Sequence, residues 1–153
     1  MVSQPEQDHS TDGGGRLRVA LADVADVAGL LDGIEGRLAA AEVPAKLRNR
    51  CLLASEEIVV NALRHGRENP GDEVVVELST AGQEIVVTVT YPGIAFDPSD
   101  PKSIPPIDLD RIGGDGLRLV HQMVDTIRYA RHGGRNTVIL IQRRGDAGSS
   151  NSA

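Results

Sequence analysis

The sequence predicts an α+β fold, a two-layer sandwich with a mostly antiparallel sheet and helices on one face. Two observations carry most of this. The runs DEVVVELST and QEIVVTVTY, and later TIRYARHGG and NTVILIQR, form two pairs of β-rich segments, each joined by a short turn. Helical apolar spacing occupies the chain before the first pair and again between the pairs. The order strand, helix, helix, hairpin, long loop, helix, hairpin then places a largely antiparallel sheet against one helical layer.

The elements follow in turn. RLRVAL predicts a short first strand. Asp23 is a candidate N-cap for a helix whose inward positions are Val24, Val27, Leu30, Leu31, Ile34 and Leu38. Pro44 suits the first turn of a second helix, which carries Leu47, Cys51, Leu52, Ala54, Ile58, Ala62 and Leu63 and stops near Gly66. In the first hairpin Val74, Val76 and Leu78 alternate with polar neighbours, and the partner strand alternates less cleanly. Residues 92–112 hold Pro92, Pro98, Pro101, Pro105 and Pro106 without periodicity, which predicts a long loop serving as a lid or binding segment. GGDGLRLVHQMVD predicts a glycine turn opening a helix with Leu117, Val120 and Val124 inward.

A chain of 153 residues suffices for one domain with a sizeable core. Residues 1–15 and 144–153 are polar and rich in small residues, and are expected to be disordered tails around a domain at 16–143. The net charge of −6 argues against a general binder of nucleic acid or anionic membrane, but leaves a local nucleotide site open. With only Phe96, Tyr91 and Tyr129 as aromatic residues, the core must be aliphatic. Cys51 is the single cysteine, so neither a disulfide framework nor a cysteine-built metal site is available. No apolar run approaches the ~20 residues of a membrane span, and MVSQPEQDHSTDGGG has neither the basic start nor the apolar stretch of a signal peptide. The expectation is a soluble cytoplasmic protein.

Two segments carry chemistry. In SEEIVVNALRHG, Glu57 and Asn61 are four apart and share a helix face. A carboxylate there can accept a proton from an attacking hydroxyl. An amide oxygen is a hard ligand suited to Mg²⁺, which is commonly shared with phosphates. On this helix alone, such a pair is more often solvated residues beside a buried stripe. His65 continues the face, a position more often filled by a surface or structural histidine. In GGDGL the glycines permit close backbone approach, and a helix N-terminus offers free N–H groups to phosphate; taken alone, the same glycines describe a tight turn.

In combination and in this order, EEIVVNALRHG, a hairpin, PGIAFDP, a proline-rich loop, GGDGLRLVHQMVD and RNTVILI resemble the ATP-binding domain of the anti-sigma-factor serine kinases. These belong to the Bergerat-type group of ATPases (GHKL) that also includes histidine kinases, gyrase and MutL. The resemblance covers about residues 16–143. It implies that Glu57 is the catalytic base and that Asn61 holds Mg²⁺ against the triphosphate of ATP. It implies a cofactor-binding set of Asn61, His65, Tyr91, Gly93, Gly113, Gly114, Gly116 and Leu117, with the glycines lining the phosphates. The partners it implies are a STAS-domain anti-anti-sigma protein, phosphorylated on serine, and a sigma factor or other output protein that is sequestered and released by partner switching. It admits a homodimer. A sensor histidine kinase would need a dimerisation helix pair and a membrane segment, which these residues do not offer.

One position departs from the pattern. The family usually carries D-x-G after the second hairpin strand, its aspartate accepting from the adenine amino group. Here the triplet is YPG, with Gly93 kept and Tyr91 at the aspartate position. A phenol accepts weakly and is bulkier; it implies either stacking on the base or a plugged pocket. An adenine amino group buried without its acceptor costs ~1–3 kcal/mol. The alternative is therefore a non-catalytic partner-binding module of the same fold, with ATP binding weakened or lost.

Overall fold

The computed structural model describes residues 15–106 and 116–145. The tails expected at 1–15 and 144–153 fall almost wholly outside these residues, as do Gly113 and Gly114 of the glycine turn.

The chain runs β1 (Arg16–Leu21), α1 (Val27–Ala40), α2 (Ala45–Asn61), β2 (Val74–Ser79), β3 (Glu84–Pro92), α3 (Gly116–Met123), β4 (Thr126–His132) and β5 (Arg135–Arg143). The five strands form one antiparallel sheet in the order β1-β2-β3-β5-β4. The α+β sandwich expected from the sequence is what forms.

Strand alternation sets the two layers. Val74, Val76 and Leu78 of β2, Ile85, Val87, Val89 and Tyr91 of β3, and Val138 and Leu140 of β5 are buried on the face that meets the helices. From the helical layer, Val27, Leu30, Ile34 and Leu38 of α1, Cys51, Ala54, Ile58 and Val59 of α2, and Leu117 and Val120 of α3 complete one core. The core is aliphatic apart from Tyr91, as the composition requires.

Local signals act close to where the sequence locates them. Asp23 accepts from the Ala25 N–H, and Asp26 reciprocates on the Asp23 N–H, a capping box. It closes a 3-10 turn at Val24–Asp26, so α1 proper starts at Val27. Pro44 sits at the N-cap of α2, one place before the first turn expected for it, in an extended conformation suited to an entering chain. In the hairpin between β4 and β5, Gly133 and Gly134 both have positive φ (58° and 74°), the conformation a two-residue loop with native strand twist demands. Arg144 is tied to the fold: its N–H donates to Gln83 O at 2.9 Å, and its guanidinium reaches Ala41 O and Thr80 O.

At its C-terminal end α2 widens into a π-type turn over Ala62–Gly66, closed by the Arg67 N–H on Ala62 O. Such turns leave carbonyls without regular partners and recur at functional sites. Arg67 answers them. Its guanidinium donates to Leu63 O, and also to Ala22 O, Pro70 O and Asp72 O, locking the turn to both neighbouring loops.

Candidate active site

The π turn brings the end of α2 against the end of β3. Gly66 O accepts from the Ile94 N–H at 3.2 Å, and Arg67 bridges to Gly93. A Cβ at Gly93 would fall on Gly66 O, and one at Gly66 would lie 2.7 Å from the Tyr91 ring. Both glycines are thus required by close approach, of backbone to backbone and of backbone to ring.

Above this junction opens a cleft of about 490 Å³ lined by Asn61, His65, Gly66, Tyr91, Ile94, Ala95, Phe96 and Pro105. Its volume is typical of a small-molecule site, and its walls are mainly apolar with few polar groups. Asn61, the last residue of α2, is half-buried here, and His65 enters from the π turn. Tyr91 stands on the floor, 5% exposed. Burial pushes its phenol pKa up, and nearby Tyr129 adds to this, while Arg131 and the Asn136 amide oppose it.

Glu57 lies one helical turn before Asn61. The space a side chain at Gly116 would need is occupied by the Glu57 carboxylate, so the acid of α2 meets the first residue of α3. The structure therefore brings Asn61, His65 and Tyr91 into one cleft and Glu57 against Gly116. Gly93 serves the junction below the cleft. Leu117 is 7% exposed and packs in the core.

Sequence reasoning assigned the loop after β3 to the site without singling out its residues. Its described part, 93–106, includes a 3-10 turn at Pro101–Ser103 capped by Asp100. It supplies Ile94, Ala95, Phe96 and Pro105 to the cleft wall. Two α3 side chains hold it. Arg118 donates to Pro105 O and His121 Nε2 to Pro98 O, each at 2.8 Å. The signal for Ile94 and Phe96 was apolarity in a loop; both remain exposed, at 69% and 45%. Among the described residues, no group of three or more His, Cys, Asp or Glu side chains could by itself hold a metal ion. An ion here would need oxygens from a ligand as well as Asn61.

The model of the histidine kinase-like ATPase domain matches residues 20–142. The chain belongs to that family. An anti-sigma F factor from Clostridium acetobutylicum is 28% identical over 97 residues, a match that takes in 60% of this chain and 66% of the relative. In the solved structure of the RsbU and RsbW domains of a Mycobacterium tuberculosis protein, the similar part superposes with a TM-score of 0.61 at 20% identity. It covers 84% of this chain but only 32% of that one, so the likeness is one of fold. Histidine kinase-like ATPase domains hold a nucleotide, and the volume of the cleft is compatible with one. No helix among the described residues is long and apolar enough to cross a membrane.

Proposed function

We propose that this chain is an anti-sigma-factor-like serine protein kinase. It uses Mg-ATP to phosphorylate a STAS-domain anti-anti-sigma partner, and it sequesters a sigma factor or other output protein until that partner displaces it. The observation that carries the reading is the geometry of α2, with the Glu57 carboxylate at the first residue of α3 and Asn61 one turn on, facing the cleft. The anti-sigma F relative supports the same direction.

ATP is the phosphoryl donor. Asn61 would hold Mg²⁺ through its amide oxygen, and the ion, when bound, would neutralise phosphate charge. Glu57 accepts the proton of the attacking serine hydroxyl as the new O–P bond forms and ADP leaves. The resemblance assigns Gly113, Gly114 and Gly116 to the phosphates; of these, Gly116 opens α3 beside Glu57. A phosphoserine on the partner carries about −1.5 to −2 charges, which disrupts its docking and resets the switch.

A second reading has its own support: Tyr91 fills the position of the usual adenine-reading carboxylate with a buried ring. On this reading the chain is a partner-binding module whose nucleotide site is weakened or lost. Thermal unfolding with and without Mg-ATP separates the two. At 100 times the dissociation constant, binding stabilises the folded state by ~2.7 kcal/mol. No shift at millimolar Mg-ATP favours the module. A shift together with phosphoserine on a STAS-domain protein, read by mass spectrometry, supports the kinase.

A further inference from the structure

The residues Gly93 and Ile94, where the chain leaves β3, have every backbone polar group paired. The Gly93 N–H donates to Gly134 O at 3.1 Å and the Ile94 N–H to Gly66 O at 3.2 Å. The two carbonyls are taken by side chains: Gly93 O accepts from Arg131 Nη1 at 2.8 Å, and Ile94 O from Asn136 Nδ2 at 2.7 Å. We infer that Asn136, assisted by Arg131, is a positioning residue that fixes the direction of the chain at Ile94 and thereby sets the Ile94–Phe96 wall of the cleft.

The orientation of the Asn136 amide is dictated by its surroundings. Its Oδ1 accepts from the Tyr129 hydroxyl at 2.5 Å and from Arg131 Nη1 at 2.9 Å. Two donors on one atom require that atom to be the oxygen, so the NH₂ group must face Ile94 O. Asn136 is fully buried and is the cross-strand partner of Tyr91 on the cleft floor. One buried amide therefore joins the floor, the β4 side chains and the loop.

Ile94 as a residue is 69% exposed, so burial of its own side chain does not hold this wall in place. An apolar residue on this face of β5, as at Val138 and Leu140, would avoid the desolvation of an amide. What the amide adds is direction: a short bond from a side chain that is itself held at its other end. Arg131 is exposed, yet reaches across to hold both Gly93 O and the Asn136 oxygen.

The anchor stands on these contacts alone; its consequence for ligand binding rests on the proposed nucleotide site. Two variants test it. Asn136→Asp keeps the size and both acceptor contacts but removes the donor to Ile94 O. Arg131→Ala removes the second clamp from an exposed position that the fold does not need. Hydrogen exchange at the Gly93 and Ile94 amides should quicken by about five- to tenfold in Asn136→Asp, the weight of one lost hydrogen bond, and by at least as much in Arg131→Ala, which loses two, while Val138 and Leu140 exchange as in the parent. Equal quickening along β5 would mean a merely structural residue and overturn the inference, as would parental exchange at Gly93 and Ile94 in both folded variants. Mg-ATP affinity, measured on the same samples, should fall several-fold with the faster exchange; unchanged affinity would break the link from anchor to cleft. If the parent itself binds no Mg-ATP, the nucleotide reading fails, and the exchange data still decide the anchor.

Discussion

The Glu57 carboxylate fills the space that a side chain on Gly116 would need, so any larger residue at the start of α3 requires the acid of α2 to move. A glycine at that position is set by contact with a carboxylate. Its backbone conformation does not demand it, since among the described glycines a positive φ occurs only at Gly15, Gly82, Gly133, Gly134 and Gly145.

This contact predicts that Gly116→Ala separates stability from activity. Glu57 stands in the way from its carboxylate back to Cγ, so the whole side chain must turn to another rotamer. The melting temperature should fall only modestly, by the ~1–3 kcal/mol of an overpacked contact, while phosphoryl transfer falls much further because Glu57 has moved.

Glu57→Ala should leave folding and Mg-ATP binding near the parent and slow transfer to a STAS-domain substrate by ~10²–10⁴. Combining it with Gly116→Ala should add no more than the share Gly116 contributes to the phosphates, because the rest acts through the one carboxylate. Equal transfer rates in Glu57→Ala and the parent would remove this residue from the mechanism.

Asn61→Ala tests the ion. Asn61 lines the cleft, and no cluster of carboxylates among the described residues offers an alternative hold. Calorimetric titration should show weaker Mg-ATP binding and a smaller difference between binding with and without magnesium. A parental magnesium dependence would reassign Asn61 to structure.

Cys51 makes a prediction about pH. The thiol is buried in α2, and burial pushes its pKa from 9.0 to about 11, against the opposing influence of Ser55. The folded state thus keeps a proton that the unfolded chain gives up between pH 9 and about 11. Stability from this group is fully present below pH 9 and is lost as pH rises through that window, by ~2–3 kcal/mol at ~1.4 kcal/mol per unit. Denaturant melts of the parent should weaken more steeply from pH 9 to 11 than those of Cys51→Ala. Parallel declines would place the alkaline sensitivity elsewhere.

Much of this was legible in the sequence where a local signal decides the outcome. The Val27, Leu30, Ile34 and Leu38 spacing gives α1 its buried stripe, and Gly133–Gly134 gives the last hairpin its turn. β3 alternates less cleanly in sequence because Val86, on the outer face, is apolar too; it pairs with Ser79 and Ile141, and half-burial there tolerates valine. The π turn was not legible, because it is held by Arg67, whose guanidinium ties Leu63 O in the turn to carbonyls as distant as that of Ala22. Glu57 and Asn61 were readable as one helix face. That the first would meet Gly116 and the second open on a cleft walled by Ile94 and Phe96 depends on how α3 and the loop pack, which no periodicity encodes.

Tyr91→Asp divides the two readings of function. Its ring lies against Gly66, beside Asn136 and within the field of Arg131. Aspartate would open a void where the ring was, at a stability cost of a few kcal/mol for a large buried side chain. The nearby guanidinium would offer the new carboxylate a partner, which limits the penalty for burying it. If the chain binds ATP, the variant gains an acceptor for the adenine amino group, ~0.5–1.5 kcal/mol net, or roughly two- to tenfold in affinity. If the ring plugs the site, the parent shows no binding and the variant restores some. Tyr91→Phe, which keeps the ring and removes the hydroxyl, should do neither. Affinity and melting temperature must be read on the same samples, so that an unfolded variant is not taken for a non-binding one. A Tyr91→Asp protein that folds yet binds ATP more weakly than the parent would mean that the tyrosine itself contacts the nucleotide, and that the phenol is part of how this cleft recognises its ligand.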